Sequence, residues 1–226
     1  ELCKKLMAEQ GITADDVQIF DRDRFQLEKE KHEIEWDVSA AEKGGYAHFM
    51  LKEIMEQPEA VRKTISPRLA DGEIVLEELR DAKELMKNIS RIYIVACGSA
   101  YHVGMVGKYA LEKMMHIPVE ACLASEFRYS EPILGESSLV IIISQSGETL
   151  DSMAALREAK RRGSKVLSIV NVMGSSIARE SDYVLYTWAG PEIAVATTKA
   201  YTTQMVLLLM FGVYLAKQLD RMEQEE

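Results

Sequence analysis

The feature that constrains this chain most is an alternation that begins after Asn88. Five short runs of β-branched and apolar residues, at 92–96, 119–123, 139–143, 166–170 and 183–186, are each followed by a polar or Gly-containing turn. In most cases a helical pattern comes next. Strands joined through helices return to the same end of a sheet, so they lie parallel and are buried on both faces. The predicted fold class is therefore α/β, a three-layer α/β/α arrangement around a five-stranded parallel sheet. The expected strand order is flavodoxin-like, 2-1-3-4-5.

The segments outside that alternation read differently. Residues 1–38 are charge-rich and short of large apolar clusters, with 17–20 and 25–27 resembling two short strands around the polar turn Asp21-Arg22-Asp23-Arg24. Having little core of its own, this stretch is expected to be an appendage or linker. Residues 39–90 form a helical lead-in. Phe49, Met50, Ile54, Met55 and Val61 recur near helical spacing, and Gly44-Gly45 and Pro58 read as breaks, which predicts two short amphipathic helices before residue 65. A third is expected over 76–86. The sheet domain then occupies 91–222. Its last segment, 198–219, carries Met205, Leu208, Leu209, Phe211 and Leu215 on most of its faces and predicts a long, largely buried helix, with an acidic end at 223–226 that frays.

With 226 residues and 47% hydrophobic content, the chain can build one core of ordinary domain size plus an appendage. A formal net charge of −9 offers no basic face for nucleic acid. An anionic ligand has to be held by local donors. Cys3, Cys97 and Cys122 are odd in number and far apart, without disulfide or metal-ligand spacing, so a reducing cytoplasm is the expected location. The longest apolar segment, near 206–210, reads as too short to span a bilayer. The opening residue is Glu1 rather than Met, the expectation for a trimmed or processed chain.

In an open α/β sheet, ligands bind beyond the carboxyl ends of the strands where the strand order reverses, here between strands one and three. The loops at that point are Cys97-Gly98-Ser99-Ala100-Tyr101 and Ser144-Gln145-Ser146-Gly147-Glu148-Thr149. Glycine lets a backbone approach a phosphate, helix amino termini present free N–H groups and a positive dipole end, and hydroxyls donate further hydrogen bonds. A single Ser or Thr there is most often a helix cap or turn residue. Four hydroxyls, Ser99, Ser144, Ser146 and Thr149, together with Gln145 in two facing loops, point instead to a ligand site.

Neither loop matches a dinucleotide fingerprint, and no Walker lysine follows. Weaker candidates are His102, expected on a helix surface, and Cys97, expected as a small buried thiol. Glu192 lies in the loop after the fifth strand, on the edge that carries the ligand loops, and is a possible site carboxylate. Thr197 or Thr198 is expected to cap the last helix, contact ligand, or both. No catalytic triad, metal cluster or cofactor motif is present, and no metal or cofactor is expected.

These strings carry a resemblance. Residues 144–149, Cys97-Gly98-Ser99 and Ala124-Ser125-Glu126-Phe127-Arg128-Tyr129 resemble sugar isomerase (SIS) domains. Ala40-Ala41-Glu42-Lys43-Gly44-Gly45-Tyr46, His48-Phe49-Met50, Lys52-Glu53-Ile54, Glu56-Gln57-Pro58 and the segment 196–200 narrow it to the glutamine:fructose-6-phosphate aminotransferase family, and the likeness covers roughly 33–219. That family joins a glutaminase domain to two SIS domains that make glucosamine 6-phosphate from fructose 6-phosphate and ammonia. Only the first SIS domain matches.

The resemblance implies that Ser144, Gln145, Ser146 and Thr149 hold the phosphate. Ser99 and the position of Ala100 would contact the sugar, and Val195 to Thr197 would border it; Gly98 and Gly147 are further possible contributors. Ala100 departs from the hydroxyl residue often found there. The family's acid/base groups and Schiff-base lysine belong to the second SIS domain, so no catalytic residue is expected here and the chain is expected to bind without turnover. The implied partners are the sugar phosphate, the glutaminase and second SIS domains, and a second copy in a homodimer; residues 1–38 are linker or glutaminase remnant. A self-contained ketose/aldose phosphate isomerase, with Glu192 or His102 moving the proton, is the alternative. A sugar-sensing DNA regulator ranks last, for want of a basic recognition helix.

Overall fold

The computed structural model describes residues 42–221, together with the strand pair Ile19–Phe20 and Gln26–Leu27. That pair is antiparallel, Ile19 opposite Leu27; the remainder of the expected N-terminal strands, the acidic C-terminal end and Cys3 lie outside the described residues.

Five parallel strands form the central sheet: β1 (Arg91–Ala96), β2 (Val119–Leu123), β3 (Ser138–Ser144), β4 (Lys165–Val170) and β5 (Tyr183–Tyr186). Their order is β2-β1-β3-β4-β5. All seven residues of β3, the middle strand, are buried, as a strand covered on both faces requires. The side-chain alternation divides the core in two. Ile92, Ile94, Leu139, Ile141 and Ile169 face α3 (Gly98–Met115) and α7 (Lys199–Gln218). Tyr93, Val95, Val140, Ile142 and Val166 face α5 (Leu150–Arg161) and the short α4 (Ala124–Phe127) and α6 (Ser176–Glu180). Successive strand residues point to opposite faces, and the register Ile92↔Leu139, Ile94↔Ile141 stacks like with like. Helices α3 and α7 approach closely at Gly107, where a Cβ would lie 2.2 Å from Leu208 Cδ2.

The lead-in departs from expectation in three places. In place of two helices, one continuous helix, α1 (Phe49–Ile65), runs through Pro58. Proline removes the N–H that would bond the carbonyl four residues back, which is Ile54; the Gln57 side chain takes that place, its Nε2 donating to Ile54 O at 3.1 Å. Over 76–86, the chain makes a 3-10 stretch, Glu77–Ala82, that passes into α2 (Lys83–Lys87). Leu76, Leu79 and Ala82 are buried at intervals of three, and three residues per turn keeps such a row on one face. Between α1 and that stretch, Leu69–Ala70 pairs antiparallel with Glu73–Ile74 around Asp71-Gly72, with φ of 52° and 80°. Asp-Gly at positive φ is the two-residue hairpin signal, and it stands where no strand was expected.

The last helix is also more apolar than its longest unbroken apolar run implied. By length and composition α7 would cross a membrane, but 67% of its apolar window is buried inside the fold. It is the central packing helix of one sheet face, against α1 and α3. Buried Arg68, just beyond α1, ties the lead-in to the sheet: its guanidinium donates to Thr64 O (2.9 Å), Tyr186 O (2.8 Å) and Glu78 Oε1 (2.7 Å).

Candidate functional site

Strands β1 and β3 are neighbours, and the helices that follow them leave on opposite faces, α3 beside α7 and α5 with α6. A crevice opens beyond their carboxyl ends for this geometric reason. It holds a cavity of about 250 Å³. Its walls are the start of α3, the loop between β3 and α5, and the loop between β5 and α7.

The 144–149 loop is wound tightly. Ser144 Oγ accepts the Gly147 N–H (3.1 Å) and shares a hydrogen bond with Thr149 Oγ1 (3.1 Å), while Ser146 Oγ accepts the Glu148 N–H (3.2 Å). Gly147 makes the bend at φ +67°, and a Cβ there would sit 2.0 Å from Ser175 Oγ. From outside, the loop is fastened by Ile177 N to Gly147 O (3.0 Å), Asn171 N to Gln145 O (3.2 Å) and Ser176 N to Glu148 Oε1 (2.8 Å).

Helix α3 starts after Cys97 and α5 after Thr149, and neither has a side-chain cap. The first N–H groups of a helix have no partner within it and carry the positive end of its dipole. Among the described residues, no Lys or Arg lines the cavity. The donors that an anion would meet there are backbone N–H groups and hydroxyls.

The third wall is built from distant parts of the chain. Glu192 Oε2 accepts from Thr197 Oγ1 (2.6 Å), and Oε1 accepts the N–H groups of Thr198 (2.8 Å) and Ala200 (3.2 Å). Glu192 thus caps α7, the role expected of Thr197 or Thr198; Thr198 occupies the cap position without capping through its own side chain. Glu53 of α1, 2% exposed, accepts Ile193 N (2.6 Å) and Ala194 N (3.2 Å). Asn171 closes the loop's base, donating to Gly190 O (2.7 Å) and accepting from Thr187 Oγ1 and Ala189 N (2.9 Å each).

A family model described as "SIS domain" matches residues 85–214. The chain belongs to the SIS domain family. Among curated relatives, this SIS chain is 53% identical over 216 residues to the glutamine--fructose-6-phosphate aminotransferase [isomerizing] of Clostridium acetobutylicum, covering 95% of this chain and 36% of that one. It is 56% identical over 203 residues to the enzyme of that name from Caldanaerobacter subterraneus, covering 89% and 33%. The chain therefore spans about a third of the length of these relatives. Among solved structures it is similar to the C-terminal domain of glucosamine-fructose-6-phosphate aminotransferase from Francisella tularensis, at 47% identity and a TM-score of 0.78, covering 81% of this chain and 52% of that one.

Within this SIS domain, Ser99, Ala100, Ser144, Gln145, Ser146, Thr149, Val195 and Thr197 are all brought to the one cavity, and Glu192 joins them. Gly98, which opens α3 at φ +57°, and Gly147 shape their loops without lining it. His102 is exposed outside the cavity. Cys97 lines it, half-buried, with Ser152 Oγ 3.8 Å from its sulfur. Burial and the neighbouring Glu120 push the Cys122 thiol up to about 12, so it stays protonated. Among the described residues, no group of three His, Cys, Asp or Glu side chains is placed to hold a metal.

Ala194 and Gln204 also line the cavity, and neither stood out in the sequence. Glu53 left no local signal because its partners lie 140 residues away.

Proposed function

We propose that this chain is the sugar-phosphate-binding half of the isomerase region of a glutamine:fructose-6-phosphate aminotransferase, taking fructose 6-phosphate as substrate and glucosamine 6-phosphate as product. The observation that carries the reading is the pair of uncapped helix starts, α3 and α5, facing one cavity together with Ser99, Ser144, Ser146 and Thr149. The phosphate sits on the 144–149 loop and the start of α5, neutralised by N–H dipoles and hydroxyls. The sugar extends toward Ser99, Ala100 and the 194–197 wall.

Proton transfer and amine chemistry belong to the other domains of the longer enzyme. Among the described residues, no lysine or histidine lines this cavity, and the one carboxylate that does, Glu192, is occupied in capping α7. The chain works in the cytoplasm and as a homodimer. Apolar side chains exposed on α1 and α3, such as Met55 and Tyr109, are surface for the partner copy and for the second SIS domain.

The test is isothermal titration with glucosamine 6-phosphate and fructose 6-phosphate, followed by an ammonia-dependent turnover assay. Binding without turnover is expected. Ser146→Ala should weaken binding by about 1.5–3 kcal/mol, the worth of one hydrogen bond to a charged group, without lowering the unfolding midpoint. Unchanged affinity would refute the phosphate placement. Turnover by the chain alone would instead favour a self-contained isomerase.

A further inference from the structure

One polar side chain at the cavity is not used by the phosphate cradle. Gln204 lies near the start of α7, is 3% exposed, and lines the cavity to which Cys97 and Ile143, at the ends of β1 and β3, also contribute. Its neighbours on α7 are engaged. Lys199 pairs with Glu56 (2.7 Å), Thr202 donates to Gln57 Oε1 (2.6 Å), and Thr203 donates to the carbonyls of Lys199 and Ala200 (3.0 Å each). Gln204 makes no side-chain hydrogen bond to another described residue. Nor are its carboxamide atoms among the unpartnered polar atoms sealed from solvent, so the little of it that is accessible opens on the cavity.

A role in packing alone does not account for glutamine here. An amide buried beside a helix–sheet core without a protein partner is unfavourable, and methionine of similar length would fill the same space. The cavity also has a direction. Val195 at its mouth is fully exposed, whereas Gln204 and Ile143 are buried.

We infer that Gln204 is a sugar-recognising residue, its carboxamide hydrogen-bonding hydroxyl groups of the hexose at the enclosed end of the cavity. The inference rests on the hexose-phosphate reading above. A carboxamide both donates and accepts, which matches a hydroxyl, itself donor and acceptor. A site built around such a pair rejects ligands that lack the hydroxyl, because the amide is then left unpaired. Gln204 would thus read the sugar while the 144–149 loop reads only the phosphate.

The experiment titrates the wild-type chain and Gln204→Met with glucosamine 6-phosphate and with inorganic phosphate, and records thermal unfolding of both. Gln204→Met should bind glucosamine 6-phosphate about tenfold more weakly, bind inorganic phosphate as the wild type does, and unfold at the same temperature or higher. Undiminished affinity for glucosamine 6-phosphate in the variant overturns this inference alone. Equal losses for both probes also overturn it, assigning Gln204 to the shape of the cavity. A wild type that binds neither probe refutes the hexose-phosphate reading, and the inference with it. Should Gln204→Met not fold, the side-chain amide resonances of Gln204 in the wild type decide: they shift with glucosamine 6-phosphate and not with inorganic phosphate, and stationary resonances overturn the assignment.

Discussion

Three helices start at the cavity, and they are finished in two different ways. Helix α7 carries its own anion, with the Glu192 carboxylate on the N–H groups of Thr198 and Ala200 at 2.8 and 3.2 Å. Helices α3 and α5 bring no carboxylate onto their first N–H groups; Cys97 and Thr149 stand at their cap positions without a capping side chain, and Asp151, in the first turn of α5, is exposed and does not line the cavity. A helix start that brings its own carboxylate serves stability. One left open beside hydroxyls, in a cavity with no Lys or Arg among its described lining residues, leaves its dipole for a ligand's negative charge. On the proposed reading, the contrast separates the structural wall of the site from its binding wall, and it accounts for how a chain of net charge −9 would hold an anion.

The severest way to break the comparison is to deform the open side. Gly147→Ala places a Cβ 2.0 Å from Ser175 Oγ at a φ of +67°. It should destabilise the domain by about 3 kcal/mol in denaturant unfolding and abolish sugar-phosphate binding. Retained binding would mean that the loop's winding is not what forms the cradle.

The closed side should respond in the opposite sense from Ser146→Ala. Glu192→Gln keeps an oxygen for the N–H groups but removes the charge at the start of α7, costing about 1 kcal/mol of stability. Affinity for the dianionic ligand should hold or rise, since a negative charge has left the cavity wall. A variant of unchanged stability whose ligand affinity collapses would move Glu192 from cap to ligand contact.

The smallest effect compares the two ends of α5. At its carboxyl end, hydrogen bonds from Arg161 (2.7 and 2.8 Å) and Arg162 (2.5 Å) hold Glu158 down from 4.5 to about 2. A carboxyl lowered on folding contributes fully above its unfolded value and loses that contribution as pH falls toward the folded one. This end of α5 should therefore be indifferent between pH 8 and 5. At the amino end, a phosphate monoester dianion takes up a proton to become the monoanion at pH ~6, so affinity should fall several-fold from pH 7.5 to 5.5. Flat affinity across that range would argue that the dipole does not read the dianion.

Much of this was legible because it is local. The strands announce themselves as β-branched runs buried on both faces, and once the order is taken as 2-1-3-4-5 the two loops at the switch point follow. What stayed hidden depends on partners that only the fold supplies. Pro58 looked like a break because the sequence does not reveal that Gln57 bonds the carbonyl left free. Glu192 read as a possible site carboxylate, and only the fold shows that it also caps the start of α7. Glu53 and Asn171 fix the site's third wall from α1 and the end of β4, and nothing in their neighbours marks them. The 69–74 hairpin is different: Asp71-Gly72 is a local signal in the sequence, lying between the helices expected before residue 65 and over 76–86.

Amide chemical-shift mapping of the chain with glucosamine 6-phosphate tests the central claim most directly. The account predicts that the largest shifts fall on residues 98–100 and 145–151, the open starts of α3 and α5, while the amides of Thr198 and Ala200, already bonded to Glu192, move little. Shifts concentrated at the start of α7, or none at millimolar ligand, would contradict it.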